Sequence, residues 1–146
     1  VLFMRMEDPA ASYSAIYRWE PTSDAVQVLR REEDRLLDCQ MSASDVTCMQ
    51  ESALQPRRIV TIDAATGAMS SAYDPNPQWA RFRFAPLERI DVRDSFGNEA
   101  YAHLLYPDNY VAGHQYPLVI VQYRSRGFLR GGTGGEYPIQ ELARRG

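Results

Sequence analysis

A β-rich α/β fold is what this sequence predicts, and three observations predict it. Residues 1–72 are a succession of short apolar runs separated by turn residues at close, regular spacing. Residues 73–87 carry two prolines one apart and interrupt that pattern. Residues 88–146 then offer a hairpin, an unbroken apolar strand, a long glycine loop and the start of a helix. Antiparallel strands therefore come first, and a strand–loop–helix unit closes the chain.

Val1–Met6, Ala15–Trp19 and Ala25–Leu29 are rich in apolar residues, and the segment Glu20 to Asp24 between the last two is turn chemistry. The charge run Arg30 to Asp34 reads as a solvated connection. Leu36–Met41 and Val46–Glu51 follow, then Arg58–Asp63 and Met69–Ala72, joined through a hairpin turn at Ala64 to Gly67. Four-stranded antiparallel units with short turns suit a sandwich or the blades of a propeller.

Pro75 and Pro77 exclude regular structure around them, while Trp79, Phe82 and Phe84 with Arg81 and Arg83 read as a segment packed along a surface. Residues 73–87 are thus expected to link two domains, 1–72 and 88–146. Glu88–Arg93, a turn over Asp94 to Asn98, and Glu99–Tyr106 make a hairpin in which Ile90 and Val92 alternate with charges, as for a half-buried antiparallel pair. Residues 107–114 are a loop. Leu118 to Val121 is an apolar run rich in β-branched residues, and it predicts a strand buried on both faces of a mostly parallel sheet. The fourteen residues after Tyr123 hold three arginines, one glutamate and five glycines, which makes them a loop. From Pro138, the residues Ile139, Leu142 and Ala143 share one helix face. In a sheet with helices on it, a loop leaving the carboxyl end of a strand is where ligands bind.

With 45% hydrophobic and 24% charged residues the chain is globular rather than disordered. No apolar run approaches the length of a membrane span, and the first residues lack the basic start and apolar stretch of a signal peptide. There is no initiating Met, and the sequence stops just after an incipient helix, so a piece of a longer chain is expected. Whether its compartment is periplasmic or cytoplasmic does not follow. All sixteen basic residues are arginine. After Pro117, five arginines stand against two glutamates, a charge of +3, and since the total is −3, residues 1–117 carry −6. A negative chain without aromatics interleaved in a basic stripe does not suit nucleic acid.

A hairpin centred on Ala43 and Ser44 sets Cys39 directly opposite Cys48, where a cross-strand disulfide is geometrically feasible. Two free core cysteines fit equally well. His103 and His114 each lack a second ligand at a plausible spacing, so no metal site is expected, and no organic cofactor is implied either.

Blade-like strands, a proline-broken linker, and the stretch Glu88 to Pro107 running into Tyr116 to Tyr123 carry a resemblance. The chain resembles the prolyl oligopeptidase family of serine peptidases, in which a β-propeller precedes an α/β-hydrolase domain. That implies the end of an antiparallel β-propeller followed by the first strands and helix of the hydrolase domain. The loop departs from the family's common His-Gly-Gly-Pro or Tyr-x-Gly-Pro turn. Here it reads Tyr-Arg-Ser-Arg-Gly-Phe-Leu-Arg-Gly-Gly-Thr-Gly-Gly-Glu-Tyr-Pro over 123–138, which is similar to the lasso-peptide isopeptidase subgroup found in proteobacteria. The implied activity is hydrolysis of the isopeptide bond that closes a lasso ring, with a threaded peptide as substrate. Dipeptidyl peptidases and acylpeptide hydrolases of the same family are the alternative enzymes. A non-catalytic β-rich binding module is the alternative from another class.

Acyl transfer needs a nucleophile, a base and donors aimed at the developing oxyanion. The nucleophile elbow Gly-x-Ser-x-Gly is absent from these residues, and Ser125 lacks the first glycine and lies in the wrong loop. The triad is therefore expected beyond Gly146, and this stretch should be inactive alone. Tyr123 occupies, in the register Pro-Leu-x-x-x-x-Tyr, the position of the tyrosine that dipeptidyl-peptidase relatives use to stabilise the oxyanion. Its other reading is a strand-capping tyrosine with a structural hydrogen bond. Arg124, Arg126 and Arg130 are candidates for gripping an acidic or carbonyl-rich substrate, against the reading of solvated loop arginines. Gly131, Gly132, Gly134 and Gly135 match no phosphate-binding motif and let the backbone turn sharply.

Overall fold

The computed structural model describes residues 13–121, 128 and 138–146, together with the backbone of 2–7. The chain forms two compact units, Val1–Pro77 and Gln78–Gly146. The first holds β1 (Leu2–Glu7), β2 (Ser14–Glu20), β3 (Ala25–Glu32), β4 (Arg35–Met41), β5 (Asp45–Glu51), β6 (Arg58–Asp63) and β7 (Met69–Tyr73). They make two antiparallel sheets, ordered β1-β2-β3 and β4-β5-β6-β7. The second unit holds an antiparallel pair, β8 (Leu87–Arg93) and β9 (Glu99–Leu105), and the helix α1 (Ile139–Arg145). A 3-10 turn, Pro77–Arg81, opens on a proline whose fixed φ suits that position. The fold is β-rich with antiparallel sheets and one short helix among the described residues, as the sequence predicts.

The two sheets of the first unit bury their apolar faces together. Ile16 of β2 meets Leu36, Val46, Cys48, Val60 and Ile62, with Leu29, Cys39 and Met69 at the margin. In β5 the buried residues Val46, Cys48 and Gln50 recur every second position, the period of a strand with one face inward. Each fully buried aliphatic side chain here contributes about 1.5–3 kcal/mol. The sheets are also tied by a hydrogen bond, the Leu36 amide donating to Ser14 Oγ at 3.2 Å.

The turn after β6 explains why a glycine stands at 67. Asp63 Oδ1 accepts from the amides of Ala65 and Thr66, and the Gly67 amide donates to the Asp63 carbonyl at 2.8 Å. The Thr66 hydroxyl, and then the amides of Thr66 and Ala65, hold the Asp63 carboxyl below its usual range. The turn closes with Gly67 at φ +72, and a Cβ there would collide with the Leu29 carbonyl oxygen of β3.

Four expectations need correction. The charge run at Arg30 is not a simple solvated connection, because β3 continues through Glu32. Arg30 pairs with Glu32 and reaches the Gly67 carbonyl, and the Arg31 guanidinium lies 3.8 Å from the centre of the Tyr13 ring. The hairpin β8–β9 is less buried than its alternation suggests: Ile90 and Val92 are exposed, as is Phe96 at its tip. Two strands alone leave one apolar face open to water. Two prolines one apart do not exclude regular structure throughout, since Tyr73 ends β7 and the 3-10 turn starts at Pro77. Finally, Leu118 to Val121 forms no ladder, and Leu118, Val119 and Ile120 are 73%, 59% and 69% exposed. A strand buried on both faces needs neighbours on each side and layers above and below. Among the described residues this unit has only the β8–β9 pair, which offers it none.

Candidate functional site

The candidate site is the glycine loop that follows the apolar run. Tyr123, Arg124, Arg126 and Arg130 lie outside the described residues, as do Gly131, Gly132, Gly134 and Gly135. What the structure describes is the frame around that loop, and one residue within it, Phe128.

Phe128 is held by aromatic residues from the segment ahead of β8. The Trp79 ring stands 5.0 Å from the Phe128 ring and the Phe84 ring 5.8 Å from it, both edge-on. Trp79 also contacts Phe82 at 4.8 Å and Phe84 at 6.1 Å. Edge-to-face geometry at these separations places the positive ring edge on the negative ring face and adds about 0.5–1.5 kcal/mol per pair beyond burial. The 3-10 turn makes this possible by setting Trp79 and Phe82 on one side, with the Phe82 amide donating to the Trp79 carbonyl at 3.0 Å. Just past the rings, Ala85 is buried and its amide donates to Gln140 Oε1 of α1 at 2.8 Å. The same short segment therefore contacts the middle of the loop and the helix at its far end.

The near end of the loop is preceded by a tyrosine stack. Tyr106, Tyr110 and Tyr116 follow one another at ring separations of 4.6 and 5.6 Å. Tyr116 Oη accepts from the Val111 amide at 3.0 Å and donates to the Asn109 carbonyl at 3.4 Å, which braces residues 107–116. Tyr106 Oη donates to Glu88 across the hairpin, and that bond raises the phenol's pKa. At the hairpin tip Asp94 accepts from Phe96, Asn98 and the Asn98 side chain, so its carboxyl sits below the usual range.

Cys39 and Cys48 are joined in a disulfide, with Cα atoms 4.1 Å apart. The β4–β5 ladder passes from Leu37↔Met49 to Gln40↔Thr47, so Asp38 and Cys39 together oppose Cys48. Asp38 absorbs the extra residue at φ +46. His103 packs its ring against Tyr101 at 5.3 Å, and the His114 amide donates to the Val111 carbonyl. No group of three or more metal-ligating side chains converges among the described residues. Gln50, buried beneath the core, donates to Asp34 and accepts from Arg58, each at 2.9 Å. Burial, and then Glu32, raises the Asp34 pKa against the lowering pull of Arg58.

No family model matches the chain. A curated protein does: the chain is 46% identical over 146 residues to the lasso peptide isopeptidase AtxE2 of Asticcacaulis excentricus. The chain is a close homologue of a lasso peptide isopeptidase. The match takes in 99% of the chain and 21% of that relative, so the chain spans about a fifth of its length. The solved apo structure of the AtxE2 isopeptidase agrees in fold, with a TM-score of 0.89 at 42% identity over 99% of the chain and 22% of its own. A serine-to-alanine variant of AtxE2 with Astexin3-dC4 bound matches equally well, at a TM-score of 0.89 and the same coverage.

Sequence reasoning missed the ring cluster around Phe128. The signal was present: the pair Phe128-Leu129 in a stretch of glycine, arginine and serine needs an apolar receptacle, and Trp79, Phe82 and Phe84 had been read as packed along a surface with no partner named.

Proposed function

We propose that this chain joins the end of a β-propeller to the start of an α/β-hydrolase domain in a serine isopeptidase that opens lasso-peptide rings. The observation that supports this reading is the match of 99% of the chain, at 46% identity, to the lasso peptide isopeptidase AtxE2. The substrate is a threaded peptide, and the reaction adds water across the amide that joins its N-terminal amine to an Asp or Glu side chain. The C–N bond breaks, the side chain becomes a carboxylate, and the amine takes the proton.

The serine nucleophile lies outside these 146 residues, which contain no Gly-x-Ser-x-Gly elbow. This part of the enzyme contributes the surroundings of the reacting carbonyl. Tyr123 donates its hydroxyl, or the loop a backbone N–H, to the oxygen that becomes negative during attack. Arg124, Arg126 and Arg130 grip carbonyls and carboxylates of the peptide. Leu118 to Val121, exposed here, pairs with strands of the complete hydrolase sheet. Loss of one oxyanion donor costs about 10²–10³ in kcat.

Treating the complete protein with a fluorophosphonate probe tests this reading. A serine hydrolase is labelled stoichiometrically, and Tyr123→Phe then loses kcat by that factor with KM changed far less. A complete protein that takes up no label is a binding module, not this enzyme.

A further inference from the structure

We propose that the Cys39–Cys48 bond is a lock across the β4 bulge, installed during folding by a dithiol–disulfide oxidoreductase, which places this chain in an oxidising compartment. The bond is independent of the reaction proposed above. β4 lies at the edge of its sheet, with β5 as its neighbour. Among the described residues the ladder to β5 carries no pair at Asp38 or Cys39, and the disulfide spans that gap. On one side of the gap Leu36 enters the core, and its amide donates to Ser14 Oγ of the other sheet. On the other side Gln40↔Thr47 and Met41↔Val46 remain, followed by the turn that Ser42 and Asp45 close. The bond therefore ties the outer half of an edge strand to the strand that carries Val46 and Cys48 into the core.

The two sulfurs differ in access. Cys48 is 1% exposed among Val46, Val60 and Ile62, whereas Cys39 sits half-buried at the margin of that core. A reducing thiolate must attack Cys39 Sγ, and it then expels Cys48 Sγ as an anion into an apolar core, where an unsolvated charge is costly. Once made, the bond persists. The same burial sets when it is made. Cys39 thiolate attacks the oxidant's disulfide, giving a mixed disulfide and releasing one oxidant thiolate. Cys48 thiolate then attacks Cys39 Sγ and expels the second. The chain gives up two electrons and two protons, and the oxidant leaves as a dithiol. Cys48 must be solvated for that second step, so it precedes closure of the core. The oxidant is thus present where the chain folds. A reducing cytosol keeps such thiols open, and oxidising compartments supply the oxidant.

The test begins with cells that make the complete protein, fractionated, quenched in acid and alkylated with N-ethylmaleimide without reductant. The peptides carrying Cys39 and Cys48 should be cross-linked, unlabelled and lighter by two hydrogen atoms than the dithiol form. They should come from the fraction outside the cytosol, and reduction before alkylation should add a label to each cysteine. Protein held in a reducing cytosol should be the dithiol form. Its β4–β5 amides should then exchange hydrogen roughly thirtyfold faster, or more, than those of the oxidised form. Cys39→Ala combined with Cys48→Ala should exchange at the faster rate with or without reductant. Where that variant does not fold, the reduced wild type supplies the comparison.

Labels on both cysteines of protein from unreduced source cells overturn the proposal, and so does a cross-linked protein recovered from the cytosol. Equal exchange of the β4–β5 amides in the oxidised and reduced forms overturns the lock across the bulge. Each of these results leaves the hydrolase reading where the fluorophosphonate probe puts it.

Discussion

Gly67 shows how one residue can be fixed by two independent constraints. Its φ of +72 lies where a side chain costs about 1–2 kcal/mol, and a Cβ would also meet the Leu29 carbonyl of a neighbouring strand. Gly67→Ala should therefore lower stability by more than about 2 kcal/mol, since backbone must move as well as strain. A denaturant midpoint equal to that of wild type would contradict the contact with β3. The sequence announced the turn at Gly67, because Ala64 to Gly67 joins two apolar runs; it held no sign of the close approach of Leu29. Asp34 was equally opaque. It stood in a charge run that reads as solvated, and only the fold shows it half-buried against Gln50. Its raised pKa has a definite sign: the folded state holds the proton more tightly, so ionised Asp34 opposes folding at neutral pH and that penalty fades as pH falls through the raised value.

Among elements, β4 and β5 carry the most pattern that can be read in advance. The hairpin over Ala43 and Ser44 sets Cys39 against Cys48, and the disulfide closes a loop with sequence separation 9. The bulge at Asp38 was not legible, and it matters: it shifts the register by one, so that Leu36 rather than Leu37 faces Gln50 and enters the core. A bulge leaves no fixed residue signature when the residue in the left-handed region is Asp rather than Gly. Replacing both cysteines by alanine should cost about 2–3 kcal/mol, the chain entropy of so short a closed loop. An unaltered unfolding midpoint would show that the pairing of β4 with β5 is held without the bond. The apolar run at Leu118 illustrates the opposite difficulty. Its composition predicts burial, but burial depends on partners, and composition is silent about where those partners are.

At the scale of the whole molecule, most strands were legible because antiparallel pairs announce themselves locally, through alternation and turns such as Glu20 to Asp24. The candidate site is proposed from residue types alone, Tyr123 with three arginines among glycines, and these lie outside the described residues. The link between Phe128 and Trp79 spans 49 positions, a separation that no periodicity reports. The proposed function rests on the loop's sequence and on 46% identity to a lasso peptide isopeptidase along 99% of the chain. The measurement that tests the account most directly is the mass of a threaded lasso peptide after incubation with the complete protein. The account predicts the gain of one water, with fragmentation showing a free N-terminal amine and an unlinked Asp or Glu side chain. A peptide recovered at its original mass, from a protein that a fluorophosphonate labels, would contradict it and leave a serine hydrolase of some other substrate.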